Sequence, residues 1–267
     1  DTIYEAKTGG TYIDFSNAGS AITSTVMTGA TAGHDITFKT SEIKLSDGTS
    51  LTVHSGSGDT TLTNIHGVVT NATSDLTVNG ATVKAYEIGL STAPKQINKV
   101  AITGSTKVEL NGAIYTGGTS GDNSVTITGP IDLKEHITID TTQADGAITL
   151  DGTVDGAKNL DILSGTALAK ITGNIGTGTA LNSLDINSTN SAANTGAITL
   201  EGDIGAGADS TTGAGIATTL KLGNTGTDAA ITLKGQDIRT DGAITLYGKT
   251  YSIATGSTAL TIVTSSD

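Results

Sequence analysis

Apolar and polar residues alternate in short runs along most of this 267-residue chain. In "SVTITG" (124–129), "HITIDT" (136–141) and "SLDINS" (183–188), an apolar residue occupies every second position, and Thr, Asp or Ser lies between. A period of two is typical of a β-strand with one buried face. No long stretch carries the i, i+3, i+4, i+7 spacing of an amphipathic helix. The pattern therefore predicts an all-β fold.

One heptapeptide occurs four times, with changes mainly at its sixth position. The copies are GAITLDG (146–152), GAITLEG (196–202), AAITLKG (229–235) and GAITLYG (242–248). The Ile and Leu at the third and fifth positions fit the buried face of a strand, whereas the varied sixth residue is expected to face solvent. The repetition indicates one structural strand that is reused in successive turns of a repeat.

Strands of this kind recur at a nearly constant interval. Their first buried residues are expected to be Leu76, Val100, Val125, Ile148, Ile171, Ile198, Leu220 and Ile244. Secondary strands, roughly half an interval along, are expected at Val108, Ile137, Leu160, Leu184 and Ile231. Two or three short strands in each roughly 20–25 residues, with Gly, Asn and Asp at the turns, are typical of a right-handed parallel β-helix, or solenoid.

Composition supports a solenoid, although one alternative stays open. Only 3% of the residues are aromatic and there is no Trp, so the interior must be filled by Ile, Leu, Val and Ala. Such side chains suit a narrow core that is built layer by layer, and 36 glycines suit many tight turns. A tandem array of β-sandwiches is the alternative, because the Asn-Gly pairs at 79–80 and 111–112 could close hairpins.

The chain divides by regularity into two parts. Residues 1–98 are predicted to form an N-terminal cap or docking segment with a less regular β region, because a stack of turns needs covered ends. Residues 99–267 are predicted to form the regular solenoid repeats, and the two parts could make one continuous domain. The start at Asp1 rather than Met suggests a processed mature protein or a segment of a larger one.

Charge excludes several classes of partner. The formal net charge is −12, with 26 acidic against 14 basic residues, and Arg239 is the only arginine. Nucleic-acid binding needs a basic surface, and an anionic membrane would repel this chain. No stretch approaches the ~20 apolar residues that cross a bilayer, so membrane insertion is not expected. The absence of cysteine removes disulfides and thiolate chemistry.

Carboxylates cluster in three stretches where calcium, which prefers oxygen ligands, could bind. The same residues are also typical of solvated turns, which is the favoured interpretation. No cofactor is expected to be required, and Ca²⁺ is the one candidate. The candidate ligands are Asp151, Asp155, Asp161, Glu201, Asp203, Asp209, Asp237 and Asp241.

Catalytic patterns are missing from the sequence. His34, His54, His66 and His136 lack the spacing of a zinc motif, and each is expected to be an ordinary exposed side chain. No GxSxG nucleophile motif occurs. A single arginine and the lack of Trp also argue against a polysaccharide-active β-helix enzyme. The chain is therefore predicted not to be an enzyme.

The repeats resemble those of large bacterial surface proteins. The stretches GAITLDGTV, AKITGNIG, GAITLEGDIG and AAITLKGQDI are similar to the repeat units of secreted β-solenoids of the filamentous-haemagglutinin-type adhesins and autotransporter passengers. The Thr-, Gly-, Ala- and Asp-rich composition is more weakly similar to bacterial surface-layer proteins. The resemblance implies secretion to the cell surface and a role in adhesion or in an outer layer.

These observations predict a non-enzymatic, extracellular structural or adhesive protein. It would form a β-solenoid stalk or adhesin segment, whose partner is a receptor on a host or neighbouring cell. The alternative is a self-assembling subunit of a surface layer or extracellular filament, whose partners are copies of itself. Neither nucleic acid nor a membrane interior is an expected partner.

Overall fold

The described part of the chain consists of β-strands joined by turns. The structure, a computed structural model, describes residues 2–5, 12–15, 22–27, 33–68, 73–92, 96–118, 122–189, 194–205, 215–225, 229–234, 237–253 and 260–264. Across these ranges every regular element is a strand and there is no helix. The all-β prediction is therefore confirmed.

The described segments contain twenty-six strands, most of them only two to six residues long. In chain order they are β1 Thr2–Glu5, β2 Tyr12–Phe15, β3 Ile22–Met27, β4 Ile36–Lys39, β5 Glu42–Leu45, β6 Thr49–His54, β7 Thr60–Thr61, β8 Asn64–Gly67, β9 Asp75–Ala85, β10 Lys99–Leu110, β11 Ile114–Tyr115, β12 Val125–Thr128, β13 Ile131–Leu133, β14 Ile137–Asp140, β15 Ile148–Asp151, β16 Val154–Asp155, β17 Asn159–Leu163, β18 Ala169–Ile171, β19 Leu181–Ile186, β20 Ile198–Leu200, β21 Ile216–Leu222, β22 Ala230–Leu233, β23 Asp237–Thr240, β24 Ala243–Leu246, β25 Thr250–Ile253 and β26 Thr261–Thr264.

The strands stack into three parallel sheets, which we call faces 1, 2 and 3. Face 1 contains β3, β6, the first halves of β9 and β10, β12, β15, β18, β20, β22 and β25. Face 2 contains β1, β4, β7, the second halves of β9 and β10, β13, β16, single bridges at Ile175 and Ile204, β23 and β26. Face 3 contains β2, β5, β8, a bridge at Ile88, β11, β14, β17, β19, β21 and β24.

Successive strands visit the three faces in a fixed order, so the chain winds as a β-solenoid. The described strand pairs are parallel, whereas a β-sandwich array would require antiparallel hairpins. The predicted solenoid is confirmed and the sandwich alternative is wrong. The boundary predicted between residues 98 and 99 coincides with the start of β10, a strand that pairs with β9 along much of its length.

Aliphatic side chains fill the interior in columns. On face 1, Leu76, Val100, Val125 and Ile148 are directly in register on successive turns, and all four are fully buried. Residues between them on each strand are half-buried or exposed, as the alternation predicts. Each apolar residue is covered by the turns on either side, at roughly 4.8 Å spacing. The core therefore exists only because the turns stack.

For some strands the sequence predicted the wrong register or the wrong face. Ile171 lies on face 1, but Ala169 is the residue in register with Ile148. Ile231 belongs to face 1, where it pairs with Ile198. Leu220 and Ile244, both expected in the same series of strands as Ile198, lie instead on face 3. The predicted positions differ from the observed ones because the turns that begin at Ala169 and Ile198 contain more residues than the number predicted for one turn.

Three of the four heptapeptide copies stack on face 1, as β15, β20 and β22, with β18 between the first two. The fourth copy, β24, lies on face 3 against β21. Asp151, Lys234 and Tyr247 at the sixth position are exposed as predicted. Glu201 is only half-buried rather than exposed, because it lies between two lysine side chains.

A close approach of neighbouring turns requires glycine at the corner after face 1. Gly129 has a φ of 114°, and a Cβ atom there would lie 2.0 Å from the carbonyl oxygen of Gly104 on the previous turn. Only a residue without a side chain can adopt this conformation at this distance. The abundance of glycine in the sequence thus follows in part from turn-to-turn packing.

Candidate functional site

Carboxylate and amide oxygens at the corner before face 2 bind the backbone of the next turn. The backbone N–H of Asp59 donates to Asp35 Oδ1 at 2.9 Å, and the N–H of Thr82 donates to Asp59 Oδ1 at 2.9 Å. Further along the solenoid, the N–H of Asp237 donates to Asp203 Oδ1 at 3.2 Å. These side chains accept hydrogen bonds from backbone N–H groups that have no acceptor within the paired strands. The carboxylate of one predicted calcium ligand, Asp203, therefore belongs to a structural ladder, to which Asp237 contributes its backbone N–H.

Two other predicted calcium ligands also connect neighbouring turns. Asp151 Oδ1 accepts a hydrogen bond from Thr172 Oγ1 at 2.7 Å. Asp155 Oδ1 accepts from the backbone N–H groups of Gly178 at 2.8 Å and Thr179 at 3.0 Å. Each carboxylate thus accepts hydrogen bonds from the turn that follows its own.

Asp161 and Glu201 also bond to side chains of neighbouring turns. Asp161 Oδ2 lies 2.9 Å from His136 Nε2. Glu201 Oε1 lies 3.2 Å from Lys170 Nζ and contacts Lys234 on the other side. The hydrogen bond from Lys234, followed by that from Lys170, holds the pKa of Glu201 below its usual range.

The candidate calcium ligands that lie in described segments do not converge on one point. Asp151, Asp155 and Asp161 are close in sequence, but they lie on β15, β16 and β17, which belong to three different faces. Asp241 follows β23, and Asp209 lies outside the described residues. Within the described ranges, no group of three or more His, Asp or Glu side chains is arranged to hold a metal ion.

Face 2 carries a network of alternating charges on its outer surface. Glu109 Oε1 lies 3.4 Å from Lys107 Nζ and 3.9 Å from Lys134 Nζ. Asp132 Oδ2 lies 2.6 Å from Lys134 Nζ and 3.7 Å from Lys107 Nζ. Isolated pairs of this exposure contribute little to stability, but several charges in one network across two turns help to hold those turns together.

A polar recess on face 3 is the best candidate for a binding site. Its volume is about 300 Å³. It spans three turns, with outward positions supplied by β5, β8 and the segment around Ile88. The lining residues are Glu42, Lys44, Asn64, Ile65, His66, Glu87, Gly89 and Leu90.

The recess exists because one outward position lacks a side chain. Lys44 and His66 are in register on successive turns, and Gly89 and Tyr115 continue the same column. Gly89 has a φ of 70°, and a Cβ atom there would lie 2.1 Å from the carbonyl oxygen of Tyr115. The resulting gap beside His66 opens the recess to solvent.

Glu42 is paired within the recess. Its Oε1 lies 2.9 Å from Lys44 Nζ, and its Oε2 lies 3.6 Å from His66 Nε2. The His66 side chain is only 10% exposed, so the expectation that this histidine is exposed is wrong. His34 and His136 are exposed as expected. The sequence offers no signal for the burial of His66, because its cover comes from other turns.

Glu87, on the third turn of the recess, makes no ion pair with the described residues. Its backbone N–H donates to Asn64 Oδ1 at 3.3 Å. Burial, followed by the charges of Glu87 and Asp140, raises the pKa of the Tyr115 phenol. The carboxylate of Glu87 is therefore a negative charge close to the recess that the described residues leave unneutralised.

The chain matches no protein-family model, no curated protein and no solved structure. None of the described segments forms a helix that could cross a membrane. The resemblance to bacterial surface proteins therefore stays a prediction.

The ion pairs of Glu201 predict a pH-dependent contribution to stability. Because the folded state lowers the pKa of Glu201, the contribution is fully present above the pKa of an unfolded Glu, about 4.3. It is lost as the pH falls through the lower, folded pKa. We expect Glu201→Gln to destabilise the protein by less than about 1 kcal/mol near neutral pH and not at all in strong acid, measured by urea unfolding.

A Glu135→Gln variant is the control, because Glu135 is well exposed and lies 3.9 Å from its lysine partner. It should change stability little at either pH. An equal loss in Glu201→Gln at both pH values would show that the side chain acts by packing rather than charge.

Variants of Asp155 test whether its carboxylate accepts turn-to-turn hydrogen bonds or binds calcium. Asp155→Asn keeps an acceptor oxygen for Gly178 and Thr179, so we expect it to retain stability. Asp155→Ala removes the acceptor and should cost about 1 kcal/mol. Thermal unfolding with and without calcium measures both variants. A calcium-induced rise in Tm that disappears in Asp155→Asn would contradict the structural role.

Proposed function

We propose that this chain is a non-enzymatic, extracellular structural or adhesive segment, displayed on the cell surface as a β-solenoid stalk. One observation carries the proposal: polar side chains at the corners and on the outer faces mostly join neighbouring turns. Asp59, Asp155 and Glu201 each bond to an adjacent turn. Such contacts stiffen a rod, which is the property that a stalk or adhesin needs.

The acidic composition supports an extracellular location over an intracellular nucleic-acid partner. With a net charge of −12, the surface repels nucleic acids and anionic lipids. A protein or glycan receptor on a host or neighbouring cell is compatible with this charge. The resemblance of the repeats to secreted surface solenoids points in the same direction.

Surface display is tested by labelling intact cells of the source organism with an antibody against the purified chain. We expect labelling before lysis, and we expect protease treatment of the intact cells to remove it. An abundant intracellular protein serves as the control for membrane integrity. Labelling that occurs only after lysis would contradict the proposed location.

A self-assembling filament subunit is the second candidate, and the last described turn favours it. Tyr251 and Ile253 on β25 are each 52% exposed, although they are in register with the buried Ile231 and Leu233. Ile262 on β26 is 47% exposed. No described strand covers β25 or β26 on their outer edge. The last described turn thus presents apolar side chains beside strand edges that no other described strand pairs with.

The opposite end of the stack has matching faces. The first strands β3, β1 and β2 lie on faces 1, 2 and 3, and the last strands β25, β26 and β24 lie on the same three faces. A second copy could therefore continue every sheet in parallel, head to tail. Contacts of this kind do not close on themselves and give filaments.

Charge placed on the open end should prevent such assembly. We expect negative-stain electron microscopy to show filaments of the wild-type chain and isolated rods of Ile253→Asp, because a carboxylate would be buried without a partner at each junction. Thr126→Asp, which adds the same charge on the outer side of a turn in the middle of the stack, should keep the filaments. Isolated rods in the wild type would rule out the filament and leave the stalk.

A further inference from the structure

The recess on face 3 has the size of a site for one small molecule. Its volume of about 300 Å³ is at the lower end of the range for ligand pockets. Three successive turns form its wall, so the core pairing of β5 and β8 holds its shape. The structure therefore offers a rigid, preformed site rather than a flexible loop.

The distribution of charge in the recess favours a positively charged ligand. Glu42 is already paired with Lys44 and approaches His66. Glu87 makes no ion pair with the described residues, and it is half-buried, so its charge is only partly screened by water. A ligand with N–H donors and a positive charge would form a charge-assisted hydrogen bond with this carboxylate.

The other lining groups limit the ligand further. The positive charge of Lys44 would repel a ligand that carries two positive charges. A ligand with a single positive charge is therefore favoured. The amide of Asn64 and the imidazole of His66 can exchange hydrogen bonds with hydroxyl groups, and Leu90 offers an apolar surface. A bare metal ion is not favoured, because the described residues contain no cluster of metal ligands.

We propose that this recess binds a protonated amino sugar, with the ammonium group on Glu87 and the ring hydroxyls towards Asn64 and His66. This binding activity is separate from the structural role proposed above and does not depend on it. The recess is expected to bind the ligand whatever the outcome of the surface-labelling and filament experiments.

The test is a titration of glucosamine into the ¹⁵N-labelled full chain, at a pH slightly below neutral where the amine is protonated. We expect saturable shifts of the backbone amides of Asn64, Glu87 and Gly89. N-acetylglucosamine, which has the same ring without the charge, should bind at least about tenfold more weakly. Equal binding of the two sugars, or no saturable shift with glucosamine, would overturn the proposal.

Two variants locate the site. Glu87→Gln should weaken glucosamine binding about tenfold or more, whereas Glu135→Gln, which removes an exposed carboxylate outside the recess, should leave it unchanged. Glu87→Gln should also lower the pKa of Tyr115, which confirms that the variant is folded and has lost the intended charge. Unchanged binding in a folded Glu87→Gln protein would place the ligand elsewhere.

Propylamine separates the ammonium group from the sugar ring. We expect it to shift the same amides, but with a larger Kd than glucosamine, because it cannot use Asn64 and His66. An equal Kd would overturn the sugar assignment and show that the recess recognises the ammonium group alone.

Discussion

The stacking of one turn on the next is the constraint on which this structure depends. A single turn has three short strands and no way to cover its inward side chains. Ile139, for example, is buried because Ile114 lies in register on one side and Ile162 on the other. Backbone hydrogen bonds and aliphatic burial are thus obtained together, from the same neighbour. Where the described stack ends, the inward side chains of β25 are exposed.

The same constraint explains how the polar residues are used. Positions one turn apart in sequence are neighbours in space, whereas positions a few residues apart face different directions. Asp151 and Asp155 are therefore on different faces, but Glu201 lies beside Lys170, 31 residues earlier in the chain. Most candidate metal ligands meet a partner from an adjacent turn before they can meet each other. Acidic residues that are close together in such a sequence therefore lie apart in the folded protein.

A departure from the regular column accompanies the polar recess on face 3. At Gly89 the outward column loses a side chain, because a Cβ atom would collide with the next turn. The neighbouring His66 and Glu87 then line a space of molecular size. A repeat protein can gain a binding site in this way, without a loop or a catalytic motif, when one position of one turn differs from its equivalents.

The sequence by itself determined the strands, their inward and outward residues and the stacked solenoid. Alternation with a period of two reports which side chains are buried, since this depends only on the local backbone. Only the tertiary structure decided which face each strand joins, as Leu220, Ile231 and Ile244 show. It also decided that His66 is buried and that Glu87 lacks an ion-pair partner among the described residues. These properties depend on the register between turns, which the lengths of the intervening segments set and no local pattern records.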